Sequence, residues 1–172
     1  MGQKLRKILI SGASSDIGIS LITKLLKANY RVDALYNENA EKLKSIQKKY
    51  KKLKIYKIYF ENNEINSLNF HNIDCFLSLQ GYLENSEIDK IDEDSLIKHI
   101  KINYVKNLTI IEKIIPSMKK RRFGKIFLTT SIGTKFGGNN STLYYSISKY
   151  LNEYHPSYLR KLIQKNININ TI

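Results

Sequence analysis

At 172 residues the chain has room for one domain with a real hydrophobic core, and residues 1–172 read as a single domain. No apolar stretch is long enough to span a membrane, "MGQKLRK" passes straight into a short strand rather than a signal-peptide core, and a single cysteine, Cys75, excludes an internal disulfide. These features imply a cytoplasmic protein without membrane attachment, and no metal site is expected. The net charge of +14 is spread over "KLKSIQKKYKKLK", "SMKKRRFGK" and "LRKLIQKN", without the interleaved aromatics of a stacking surface. It therefore reads as solvated helix faces rather than a nucleic-acid footprint.

In chain order, "KILIS" (7–11) is a short apolar strand and "IGISLITKLLKAN" (17–29) has apolar residues at helical spacing. "YRVDALY" (30–36) is the next strand, followed by a charged helix with Leu43, Ile46 and Tyr50 along one side. "LKIYKIYF" (53–60) and "IDCFLSL" (73–79) read as strands, and Cys75 inside the second reads as a small buried hydrophobe. A polar loop leads to a long amphipathic helix over about 95–121. A fifth strand at 124–131, a further helix over about 143–165 and the opening of a sixth strand in "NININTI" complete the order. Pro156 falls inside the last helix, where a missing N–H should kink it.

Strands this apolar, alternating with helices, imply a parallel sheet covered on both faces: a doubly wound, three-layer α/β domain of Rossmann type. Right-handed crossovers place the first strand near the middle and the ligand crevice at the strands' carboxyl ends. The turn "SGASSDIG" between strand and helix suits an anion, because a helix start offers unpaired N–H groups and the positive end of the macrodipole. Gly12 and Gly18 fit the tight turn and the close approach, with Ser14 and Ser15 as hydroxyl donors. Asp16 either caps the helix that follows or faces solvent, and in both cases its charge weakens anion binding at the turn without abolishing it. Further on, Tyr145 and Lys149 in "YYSISK" lie one helical turn apart on one face, and an ammonium beside a phenol favours the phenolate.

Ser11 to Gly18 resembles the T-G-x-x-x-G-x-G turn of the short-chain dehydrogenase/reductases, with Asp16 in place of the middle glycine. The resemblance extends to Asn103 on the long helix, Ser131 at the end of the fifth strand, Tyr145 and Lys149, which match the family's catalytic residues in order. It implies that Ser131 bonds the substrate carbonyl, Tyr145 moves the proton, Lys149 binds the nicotinamide ribose and tunes the tyrosine, and Asn103 supports a water relay. Thr130 is the alternative to Ser131. For the dinucleotide it implies Gly12, Ser14, Ser15, Ile17 and Gly18 in the turn, Tyr36 and Asn37 after the second strand, and Glu61 at the adenine. Gly81 is what remains of the family's N-N-A-G, here Ser78, Leu79, Gln80 and Gly81, and Tyr145 and Lys149 complete the set.

The expected cofactor is NADP, with NAD possible, because no aspartate ends the second strand to repel a 2′-phosphate. The activity implied is reduction of a ketone or aldehyde, on a small-molecule carbonyl or an acyl-carrier substrate such as a 3-oxoacyl thioester. The alternatives are an inactive cofactor-binding remnant and, on charge alone, nucleic-acid binding. The resemblance also implies homo-oligomers, dimers or tetramers, paired through the two long helices. It runs from about Lys7 to Ile172, so the last strand and the C-terminal segment of the usual family domain are expected to be lacking.

Overall fold

A computed structural model describes residues 6–61, 64–85, 89–139, 141–154 and 157–172. Six strands, β1 (Lys7–Ser11), β2 (Arg31–Tyr36), β3 (Leu53–Lys57), β4 (Cys75–Ser78), β5 (Gly124–Leu128) and β6 (Ile167–Thr171), form one sheet in the order β3-β2-β1-β4-β5-β6. Every pairing is parallel. The reversal of strand order beside β1 creates a crevice at the carboxyl ends of β1 and β4, where such sheets bind ligands.

Both faces of the sheet are covered, which explains strands without a polar side. Ile8, Ile10, Val32 and Ala34 pack with Ile22 and Leu26 of α1 (Asp16–Lys27) and Leu43 of α2 (Glu41–Lys49). On the other face, Leu9, Phe76, Ile126 and Leu128 meet Ile110, Ile114 and Met118 from the long helical segment, with Leu162 and Ile167 beside them. Cys75, partly buried rather than fully so, packs on the Ile8 and Ile10 face, and burial pushes its thiol up to about 11, so it stays protonated. No helix among the described residues is long and apolar enough to cross a membrane.

Several elements differ from their sequence pattern; β4 and β5 are shorter than the strands expected over 73–79 and 124–131. The strand expected over 53–60 ends at Lys57, because Ile58 and Phe60 turn out of the sheet to fill the core. The long helix is divided into α3 (Glu93–Ile100), a π-turn (Lys101–Val105) and α4 (Lys106–Arg121) without a break in the chain's course. A π-turn inserts an extra residue per turn and removes carbonyls from the regular ladder, a device concentrated at functional sites. After α5 (Gly133–Phe136), the final helix is also divided, into α6 (Leu143–Tyr150) with a 3₁₀ turn at Leu151–Glu153, then α7 (Ser157–Arg160) with a 3₁₀ turn at Lys161–Lys165. Pro156 itself lies outside the described residues.

Candidate active site and dinucleotide cleft

The turn after β1 is built on Gly12, which has φ +68° and whose added Cβ would lie 2.6 Å from the backbone of Leu79 and Gln80. A side chain there meets both a strained backbone and a wall of main chain. Gly12→Ala should therefore cost at least about 2 kcal/mol, from the left-handed conformation plus the displaced 79–80 segment. A chemical unfolding curve superimposable on that of the unaltered chain would show that this approach is not held.

Ser15, not Asp16, is the N-cap of α1. Its Oγ accepts from Gly18 N at 3.1 Å and donates to the Gly12 carbonyl at 2.9 Å. Asp16 occupies the first helical position with its side chain 93% exposed, and its carboxylate pairs with Lys42 Nζ of α2 at 2.9 Å. Of the two placements open in the sequence, the solvent-facing one is adopted, and the Lys42 ammonium holds the Asp16 carboxyl below its ordinary pKa. Gly18 is buried against Ala13, where a Cβ would lie 2.6 Å from the Ala13 carbonyl oxygen.

Beside this turn opens a cleft of about 490 Å³ lined by Gly12, Ser14, Ser15, Asn37, Glu61 and Gly81 of the expected dinucleotide residues. It is also lined by Leu79 and Gln80 of the segment that stands for N-N-A-G, and by Glu38, Asn39, Phe60, Tyr82 and Ile102, which the sequence pattern does not mark. Tyr82 follows β4 closely at the carboxyl end of the sheet, where ligands bind; Ile102 enters from the π-turn. Of the other expected dinucleotide residues, Ile17, Gly18, Tyr36, Tyr145 and Lys149 do not line this cleft. Tyr36 is 8% exposed and packed into the core under α1 and α2, because the last residue of β2 points to that face. Ile17 is 71% exposed in the first turn of α1. Glu61 reaches across to α3 and pairs with Lys98 at 3.0 Å.

Gly81 joins the cleft to the catalytic candidates. A Cβ there would stand 3.5 Å from the Tyr145 hydroxyl and 3.8 Å from Lys149 Cε. Lys149 is 2% exposed, and its Nζ donates to the Gln80 carbonyl at 2.7 Å, to Thr129 Oγ1 at 3.2 Å and to the Thr129 carbonyl at 3.4 Å. Burial pulls the Lys149 ammonium down to about 8 and pushes the Tyr145 phenol up. The ammonium lies 5.7 Å from the centre of the Tyr145 ring. In the chain alone, desolvation thus prevails over the phenolate-favouring effect expected of the lysine.

Asn103 sits in the π-turn, fully buried. Its Nδ2 donates to Ser148 Oγ and to the Tyr82 carbonyl, both at 2.9 Å, while its Oδ1 accepts from Tyr82 N at 2.7 Å. The Asn103 carbonyl accepts from Asn107 Nδ2 at 2.9 Å and Asn152 Nδ2 at 3.1 Å. This residue thus fastens the π-turn to both the cleft wall and α6.

Ser131 lies three residues beyond β5 rather than at its end. Its Oγ accepts from Gly133 N at 3.2 Å, and Gly133 in turn packs against Ser146, the neighbour of Tyr145. Thr130 is turned away: its N–H donates to the Ile172 carbonyl at 2.9 Å, at the end of β6. Among the described residues no three His, Cys, Asp or Glu side chains form a metal-binding group.

A family model described as short chain dehydrogenase matches residues 6–172. Among solved structures, a short-chain dehydrogenase from Streptomyces avermitilis is 16% identical with a TM-score of 0.87, covering 99% of this chain and 65% of that one. A 4-hydroxyisoleucine dehydrogenase mutant complexed with NADH and succinate is 22% identical with a TM-score of 0.83, covering 96% and 71%. An oxidoreductase of the short chain dehydrogenase/reductase family from Burkholderia thailandensis is 20% identical with a TM-score of 0.83, covering 98% and 68%. The chain therefore spans about two thirds of the length of these structures. No curated protein matches it. The match of the family model over nearly all of the sequence, together with the turn, cleft and tyrosine–lysine helix described above, places this chain in the short-chain dehydrogenase family.

Proposed function

We propose that this chain binds a nicotinamide dinucleotide along the cleft between the β1–α1 turn and Gly81 and reduces a carbonyl compound, such as a ketone, an aldehyde or a 3-oxoacyl thioester. The observation that carries this reading is a buried lysine, Lys149, held by backbone and hydroxyl oxygens one helical turn from Tyr145 and next to a glycine-walled cleft. A burial this costly for an ammonium is a mark of a working site. The cleft residues fit a dinucleotide: Gly12 admits close backbone approach, and the start of α1 with Ser14 and Ser15 suits the pyrophosphate.

The bound nicotinamide would supply the hydride. With the hydride going to the carbonyl carbon, Tyr145 would give its proton to the carbonyl oxygen, a role favoured by a phenol held protonated by burial. Ser131 offers its hydroxyl to the same oxygen. Lys149 keeps positive charge beside the tyrosine, and Asn103 holds α6 and the cleft wall in register through Ser148 and Tyr82.

NADP is the preferred form, and Lys42 is its support. The sequence offered no arginine for a 2′-phosphate, but a second hollow of about 420 Å³, sharing Ser14, Ser15 and Asn39 with the cleft, contains Lys42. Asp16 competes for that ammonium. Asp16→Asn should therefore tighten NADPH a few-fold by removing a like charge from a water-exposed site, while Lys42→Glu weakens it. Thermal-shift titrations with NADPH and NADH read this directly, since a ligand of the folded state raises the melting temperature. Equal responses to the two cofactors in all three proteins would remove Lys42 from the reading. No response to either cofactor in a cooperatively melting chain would overturn the function.

The second reading, a cofactor-binding remnant without turnover, is favoured by Asp16 at the middle glycine and by two carboxylates, Glu38 and Glu61, on the cleft wall. Homo-oligomerisation would use the apolar groove of about 460 Å³ along α4, where Leu108, Ile111, Ile115 and Leu159 come together.

A further inference from the structure

Thr129 is the first residue beyond β5, and its N–H donates to the carbonyl of Ser78, the last residue of β4, at 3.3 Å. Gln80 continues the neighbouring strand two residues beyond Ser78. The two adjoining strand ends therefore present three oxygens to Lys149 Nζ: the Gln80 carbonyl at 2.7 Å, Thr129 Oγ1 at 3.2 Å and the Thr129 carbonyl at 3.4 Å. An ammonium has three donors and no acceptor, so this set matches it in number. With Lys149 2% exposed, these oxygens replace the water that a lysine otherwise keeps. Two of them are backbone; the Thr129 hydroxyl is the one that depends on a side chain. The strands offer Lys149 uncharged groups, the π-turn offers Asn103 by way of Ser148, and the titratable neighbour on α6 is Tyr145.

We propose that Thr129 is a positioning residue for Lys149, its hydroxyl seating the ammonium so that Lys149 stays charged and fixed one turn from Tyr145. Its catalytic consequence rests on the function proposed above; the seating itself does not. Removing the hydroxyl in Thr129→Val leaves a buried charge one acceptor short, and the proton should leave Lys149 about tenfold more readily, a fall of about one unit in its titration midpoint. Thr129→Ser, which keeps the oxygen, should restore the midpoint.

The test is an NMR titration of the chain carrying ¹³Cε-labelled lysine, with Lys149→Met to assign the signal, without cofactor or substrate. Thr129→Ala serves in place of valine if the latter fails to melt cooperatively. A midpoint that falls in Thr129→Val or Thr129→Ala and recovers in Thr129→Ser supports the seat. An unchanged midpoint in the variants lacking the hydroxyl overturns it, whatever the chain's activity. A shifted midpoint in a chain that never turns over a carbonyl substrate keeps the seat and sinks the enzymatic reading instead. Where turnover is present, the alkaline limb of its pH profile should move down with the same variants and return with serine.

Discussion

Replacing Tyr145 with phenylalanine is expected to lower turnover of a 3-oxoacyl thioester with NADPH by 10²- to 10⁴-fold, the usual contribution of a positioned acid or base. The fold should tolerate the change, because the hydroxyl faces the open side of Gly81 and the ring remains packed as before. Cofactor binding should survive as well, since the cleft walls around the β1–α1 turn do not depend on that oxygen. Steady-state rates paired with an NADPH thermal shift check both halves. Loss of rate with an intact shift identifies Tyr145 as the proton donor; undiminished rate would place the acid elsewhere.

The second large effect concerns stability and pH. Lys149 has its pKa lowered from 10.5 to about 8 by burial, so the folded state binds the proton less well than the unfolded state does. Below pH 8 both states are protonated and the folded state bears the whole cost, about 3 kcal/mol for a shift of this size. Between pH 8 and 10.5 the unfolded chain holds more protons than the folded one, and stability rises with pH as the cost is relieved. Lys149→Met lacks this titration. The unaltered chain should therefore gain about 3 kcal/mol on the methionine variant across that interval, as read from urea unfolding curves at stepped pH. A gap that stays constant from pH 7 to pH 10.5 would mean that the ammonium is not desolvated as its surroundings imply. The same burial that costs the fold keeps the lysine close to giving up its proton at mildly alkaline pH.

Local patterns carried much of this site. Tyr145 and Lys149 share a face because four residues make about one helical turn, and that needs nothing beyond α6 itself. Gly12 could be read as a turn glycine because a strand and a helix flank it, and its positive φ follows. Asp16 is the counterexample close at hand. As a capping residue type just before a helical pattern it could cap the helix or face solvent, and the backbone decided: Ser15 has extended angles and reaches Gly18 N, while Asp16 is already inside the helix. Ser131 was placed at the end of a strand that stops at Leu128, since apolar periodicity cannot show where pairing with β6 gives way to the carbonyl of Ile172.

The order of apolar and amphipathic runs by itself determined the parallel α/β sheet, the central place of β1 and the crevice beside it, because side-chain periodicity and crossover handedness are fixed by the covalent chain. The glycine turn after β1 and the shared face of Tyr145 and Lys149 were likewise legible, each being contained within one turn of backbone. Only the tertiary structure decided what surrounds them. It joined Lys42 to Asp16 across 26 residues, brought Gln80 and Thr129 to Lys149 across 69 and 20, and tied Asn103 to Ser148 across 45. It also turned Tyr36 into the core and away from the cleft. Such contacts depend on register between strands and on how helices settle against the sheet, and no local spacing encodes them. The charge state of Lys149 follows from them, since burial and three oxygens from separate strands set what a lysine in a sequence motif can do.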